Sequence, residues 1–140
     1  MEVMSVIRLL PENREQINNF VSKVVTAVNE GNVNPLELDV QIKRIEEVCK
    51  AIRKQTKEQV IDEANKYDKS FTYAGATITV TERATYDFSN DPECVKLEND
   101  LKARKEMLKG LKMQLVDPDT GEVLNPPLVK KSDVLTIKIL

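Results

Sequence analysis

Between Pro92 and Leu115 the chain reads PECVKLENDLKARKEMLKGLKMQL. In it Cys94, Leu97, Leu101, Arg104, Leu108, Leu111 and Leu115 follow one another at alternating spacings of three and four. A stripe with that recurrence is the seam of a coiled-coil helix, too narrow to be a broad core face, and it has to lie against another helix. One charge, Arg104, interrupts it. Upstream, Leu38, Ile42, Ile45, Cys49 and Ile52 repeat the spacing. The two stripes predict a long antiparallel helical hairpin, 35–67 against 91–115.

Composition agrees with an elongated helical protein. Charged residues make up 31% of the 140 and aromatics only 4%, as expected where much of each helix faces water. The length suits one domain with a modest core. The net charge is -2 with the signs mixed, so strong long-range attraction to nucleic acid or to an anionic membrane is not expected.

Taken in order, residues 1–10 are apolar (Val3, Val6, Ile7, Leu9, Leu10) and read as a strand or extended lead-in. Over 11–30, Ile17, Phe20, Val21, Val24, Val25 and Val28 form one broad apolar stripe on a helix, which Gly31 ends. Asn34 caps the next helix, with Pro35 in its first turn. That helix is predicted to reach Tyr67 or Asp68. Its seam turns polar at Thr56 and Gln59, as a register device, a solvent-exposed span or a water-filled contact. Residues 71–83 switch to alternation and predict a β-hairpin that turns at Ala74-Gly75. The linker 84–90 carries Tyr86 and Phe88, expected to pin it against the hairpin base. Asn90 or Asp91 caps the seam helix ahead of Pro92, and Gly110 marks a close helix approach or an early end. VDPDTGEV is turn chemistry. Residues 132–140 predict a terminal strand beside ATITVT.

No catalytic, metal or nucleotide motif stands out. The chain has no histidine, the commonest general base at neutral pH. Cys49 and Cys94 fall on apolar seams and read as reduced, buried thiols, with a disulfide open if they face each other. Glu46 and Glu47, Asp62 and Glu63, and Asp117 and Asp119 are the carboxylate pairs a metal would need. Most acids, however, alternate with cations on helix faces, as solvated surface does. The Asp117–Gly121 turn lacks the distal glutamate of a calcium loop, and Gly75 lacks the P-loop context. Basic residues are the stronger signal. Lys50, Arg53, Lys54 and Lys57 form one face of the first long helix, and Lys102, Lys105, Lys109 and Lys112 lie along the second. Aligned, they would make a phosphate-tracking stripe. Taken singly, they are ordinary helix surface.

The segments NPLELDVQIKRIE, YDFSNDPECVKLENDLKARKEMLKGLK and VDPDTGEV, followed by a Pro-Pro stretch and a terminal strand, resemble a group of small uncharacterised proteins. These belong to tailed phages and prophages, especially those of gut Bacteroidetes. The resemblance runs from about Asn34 onward and is most specific at YDFSNDP and KARKEMLKGL. It implies a gene near replication and recombination functions and carries over no catalytic residue. The architecture is also loosely similar to that of the Gam host-nuclease inhibitors, a likeness of fold alone.

The expected fold is therefore α+β: a long antiparallel helical (coiled-coil) hairpin, an additional N-terminal helix and a small antiparallel β-sheet at one end. The expected function is that of a non-enzymatic phage accessory protein acting through protein–protein contacts on a host nuclease or defence complex. The alternative is a DNA-binding accessory of recombination or replication. Self-association is expected, a dimer first, with no cofactor, no metal and no membrane partner. MEVMSVIRLL carries no secretory leader pattern, and the expected place is the cytoplasm of a bacterial host.

Overall fold

The computed structural model describes residues 3–140. Its elements in chain order are α1 (Val3–Ile7), α2 (Arg14–Asn29), α3 (Pro35–Ala64), β1 (Ser70–Tyr73), β2 (Ala76–Thr79), α4 (Pro92–Lys109), β3 (Leu115–Val116) and β4 (Val123–Leu124). The α+β class holds. The chain gathers into two compact units, one of residues up to Glu82 together with Thr136–Leu140, the other of Arg83–Leu135.

In the first unit, the expected N-terminal strand is instead the short helix α1. The Arg8 N–H donates to the Met4 carbonyl at 3.0 Å, a local bond that a strand without a ladder partner could not make. Met1 and Glu2, part of that expectation, lie outside the described residues. The α2 N-cap is Asn13, whose side chain accepts from the Gln16 N–H at 2.8 Å. At the other end Gly31 has φ of +76°. The Asn32 N–H reaches the Ala27 carbonyl and the Gly31 N–H the Val28 carbonyl, which makes a Schellman close. Asn34 caps α3 through the N–H groups of Leu36 and Glu37. The 30 residues of α3 end at Ala64, three short of the predicted Tyr67, and the chain tightens through Lys66 and Tyr67 into β1.

The hairpin β1–β2 is antiparallel, with Phe71 opposite Ile78 and Tyr73 opposite Ala76. Its two-residue turn has positive φ at both Ala74 (49°) and Gly75 (77°), the type I′ geometry that matches the strand twist. Phe71, Tyr73, Ala76 and Ile78 share one face. On the other, the Ser70 and Thr79 hydroxyls hydrogen-bond at 3.1 Å. The ladder is shorter than the predicted 71–83. The Val80 N–H still donates to the Lys69 carbonyl at 2.9 Å, and β structure ends there. The terminal strand expected over 132–140 does not form a ladder with ATITVT. Ile137 and Ile139 are half-buried and Lys138 and Leu140 exposed, so the alternation is present without the strand pairing.

In the second unit, the Asp87 carboxylate accepts from the Ser89 N–H at 2.8 Å, and this turn delivers Asp91 as the α4 N-cap, with Pro92 at its first position. The helix stops at Lys109, with Gly110 as C-cap, so the early end is the correct reading of Gly110. Leu111 and Leu115, predicted seam positions, therefore leave the helix, and Leu115 pairs with Leu124 across β3–β4. The connecting turn is held by Asp117. Its backbone accepts from the Gly121 N–H at 2.8 Å, and its side chain accepts from Asp119 at 2.8 Å. Gly121 takes positive φ at the exit. The seam charge Arg104 pairs with Glu122 of this turn. Leu124, 8% exposed, is the one buried hydrophobic residue among those described.

Candidate functional site

The surface of this chain is its most informative feature. Exposed apolar residues occur along the whole chain, from Val3 to Leu140, and residues of both seams are among them. On α3, Leu38 is half-buried, but Ile42, Ile45, Cys49 and Ile52 are exposed, with Ile52 keeping 52% of its surface. On α4, Cys94 and Leu108 are half-buried, while Leu97 and Leu101 remain 58% and 55% exposed.

The polar break in the α3 seam has a local explanation. The Thr56 hydroxyl donates to the Ile52 carbonyl of its own helix at 2.9 Å, so it needs no partner across a seam. Neither cysteine forms a disulfide, and Cys49 is exposed. Cys94 is held as a thiol: its hydrogen bond to Asp91 raises its pKa, with loss of solvation and the Glu98 charge adding to the effect. A helix N-terminus ordinarily favours the thiolate, and here the capping carboxylate reverses that preference. Asp91 shifts the other way, held below the usual carboxylate range by the Cys94 thiol and then by the Cys94 N–H. Hydrogen bonds from the backbone N–H groups of Asp119 and Thr120 likewise hold Asp117 down.

The two basic groups separate in character. Lys50, Arg53, Lys54 and Lys57 all lie exposed on α3, within an arc of about 100° at 3.6 residues per turn. Lys102, Lys105 and Lys109 line one face of α4 with Glu98 and Glu106 among them, and Lys109 is paired to Glu106 at 2.8 Å. Lys112, placed with them by the sequence, lies in the bend after the helix.

The sequence reading missed an aromatic groove of about 320 Å³ at the C-terminal end of α3, lined by Val60, Ala64, Tyr67, Phe71, Tyr73 and Ile78. The Tyr67 ring stacks on Phe71 at 4.6 Å and meets Tyr73 edge-on at 6.0 Å. The available signal was that 67–73 holds half of the chain's few aromatics. Tyr86 and Phe88, expected to pin the linker, stack on each other at 6.5 Å and stay exposed, Tyr86 at 79%.

Among the described residues no group of three or more Cys, Asp or Glu gathers as a metal site, and no helix is long and apolar enough to cross a membrane. No family model matches the chain, nor does any curated protein or solved structure.

Proposed function

We propose that this chain is a non-enzymatic binding protein that works by covering its α3 and α4 seams with other helices, first those of a second copy. The observation that carries this reading is the exposure of Ile42, Ile45, Ile52, Leu97 and Leu101 on helices whose polar surface is otherwise heavily charged. Exposed apolar stripes of this length mark contact sites rather than ordinary surface, and their three-four spacing suits a helix as the contacting element. The long antiparallel hairpin of 35–64 with 92–109 is the arrangement the two seams are patterned for. The finer reading is a phage or prophage accessory protein directed at a host nuclease or defence complex, and it rests on the sequence resemblance alone.

The test is the solution mass of the intact chain across a concentration series, with Ile45→Glu and Ile52→Glu introduced together. Wild type is expected as a dimer or larger and the double variant as a monomer of unchanged helix content. Capture with tagged wild type and tagged variant from phage-infected and uninfected cells then reads the partner side. A wild-type chain that stays monomeric and captures nothing the variant fails to capture removes the proposal.

A further inference from the structure

A face of α3 beside its seam presents four cations that form no ion pair among the described residues. From Val48 to Lys57 the helix reads VCKAIRKQTK, four cations and no acid. Glu46 and Glu47, four and three residues before Lys50, and Glu58, four after Lys54, bound the stripe at its two ends. No ion pair among the described residues reaches Lys50, Arg53, Lys54 or Lys57, whereas the α4 lysines carry acids between them and one is already paired. Four like charges over about 10 Å of helix repel one another, and a chain whose net charge is -2 keeps such a cluster at some electrostatic cost.

We propose that the Lys50–Arg53–Lys54–Lys57 face of α3 binds the phosphate backbone of duplex nucleic acid. A straight helix holds its charges at fixed spacing, which suits the regular phosphate array of a duplex. No aromatic residue lies between Leu38 and Lys66, so the face offers no platform on which the bases of a single strand would stack. It offers no built pocket for one base edge either, and the binding is therefore sequence-independent. Arg53, four residues after Cys49, flanks the seam, whereas Lys50, Lys54 and Lys57 lie away from Ile45 and Ile52, so covering the seam leaves those three open. Assembly of two copies would present two stripes and tighten binding by avidity.

The experiment is fluorescence anisotropy of the full chain with a labelled random-sequence duplex and a single strand of equal length. Co-sedimentation with phosphatidylserine-containing vesicles and solution mass are measured in parallel. Between about 50 and 200 mM salt, four phosphate contacts predict a roughly 100-fold loss of affinity. Reversal of Lys50, Arg53, Lys54 and Lys57 to Glu is expected to abolish duplex binding, and replacement by Gln to weaken it at least tenfold, with solution mass unchanged. Reversal of Lys102, Lys105 and Lys109 imposes a comparable change of net charge and is expected to cost much less. Absence of duplex binding at low salt overturns the proposal, as does tighter binding to the single strand, binding to vesicles alone, or equal losses from the α3 and α4 variants. Because solution mass is read on the same samples, failure here is distinguishable from failure of the assembly reading.

Discussion

The Tyr67 ring lies on that of Phe71, centroids 4.6 Å apart and planes 17° from parallel. This contact holds the β1–β2 hairpin to the end of α3. A two-stranded hairpin alone is marginal in water and needs a helix or a third strand to rest on. Phe71 is half-buried, so Phe71→Ala is expected to cost about 2 kcal/mol, below the range for a fully buried ring. Urea unfolding followed by tyrosine fluorescence reads it. A loss under about 0.5 kcal/mol would mean that the hairpin stands without the stack.

Ala74 occupies the first central position of the type I′ turn at φ of +49°. An L-residue with a Cβ pays roughly 1 kcal/mol in that region, while asparagine tolerates it. Ala74→Asn is expected to raise stability by about 0.5–1 kcal/mol, and Ala74→Val to lower it. The midpoint of thermal unfolding gives the sign directly. A destabilising Asn would contradict the turn assignment.

These two sites show what a sequence can and cannot disclose. The caps and stops were legible because they are local: Asn34-Pro35, Asp91-Pro92, Gly31 and the Ala74-Gly75 turn each act through backbone groups within a few residues. The elements that went astray depend on partners far along the chain. Residues 132–140 alternate as a strand should, yet an alternating segment becomes a strand only where a free edge accepts it, and β2 takes no second partner. Leu111 and Leu115 kept the seam's spacing after the helix had ended at Gly110, since periodicity registers where apolar residues recur and not whether the backbone is still helical. Arg104 read as an anomaly of the seam because its partner, Glu122, is eighteen residues away. The α3 and α4 seams themselves were legible as stripes, and the exposure of their residues is a fact only the structure could supply.

That Arg104–Glu122 pair is the one ion pair among the described residues that joins separate elements, α4 and the turn between β3 and β4. Both side chains are about half exposed, so its contribution falls in the range of a surface pair, about 0.2–1 kcal/mol. Arg104→Ala and Glu122→Ala are expected to cost similar small amounts, and the double variant little more than either. A double-mutant cycle measures the coupling. Strict additivity would show that the two charges do not meet in solution. Because the pair faces solvent, raising the salt concentration should shrink the coupling.

The Asp91–Cys94 pair couples the α4 cap to pH and to thiol chemistry at once. The thiol and N–H of Cys94 hold the Asp91 carboxyl below its usual range, so the folded pKa lies beneath the unfolded value of about 4. A depressed folded pKa gives stabilisation that is complete above the unfolded value and disappears as pH falls through the folded one. The Cys94 amide resonance is therefore expected to titrate with a midpoint below the ordinary carboxylate value, together with loss of order in the first turn of α4. Asp91→Asn keeps a good capping side chain and should hold that turn through the same acid range. It also removes the charge that keeps the Cys94 thiol protonated, so alkylation of Cys94 at neutral pH should run faster in the variant than in wild type. An amide midpoint at or above the ordinary carboxylate value, or an alkylation rate unmoved by Asp91→Asn, would show that the carboxylate does not engage the thiol.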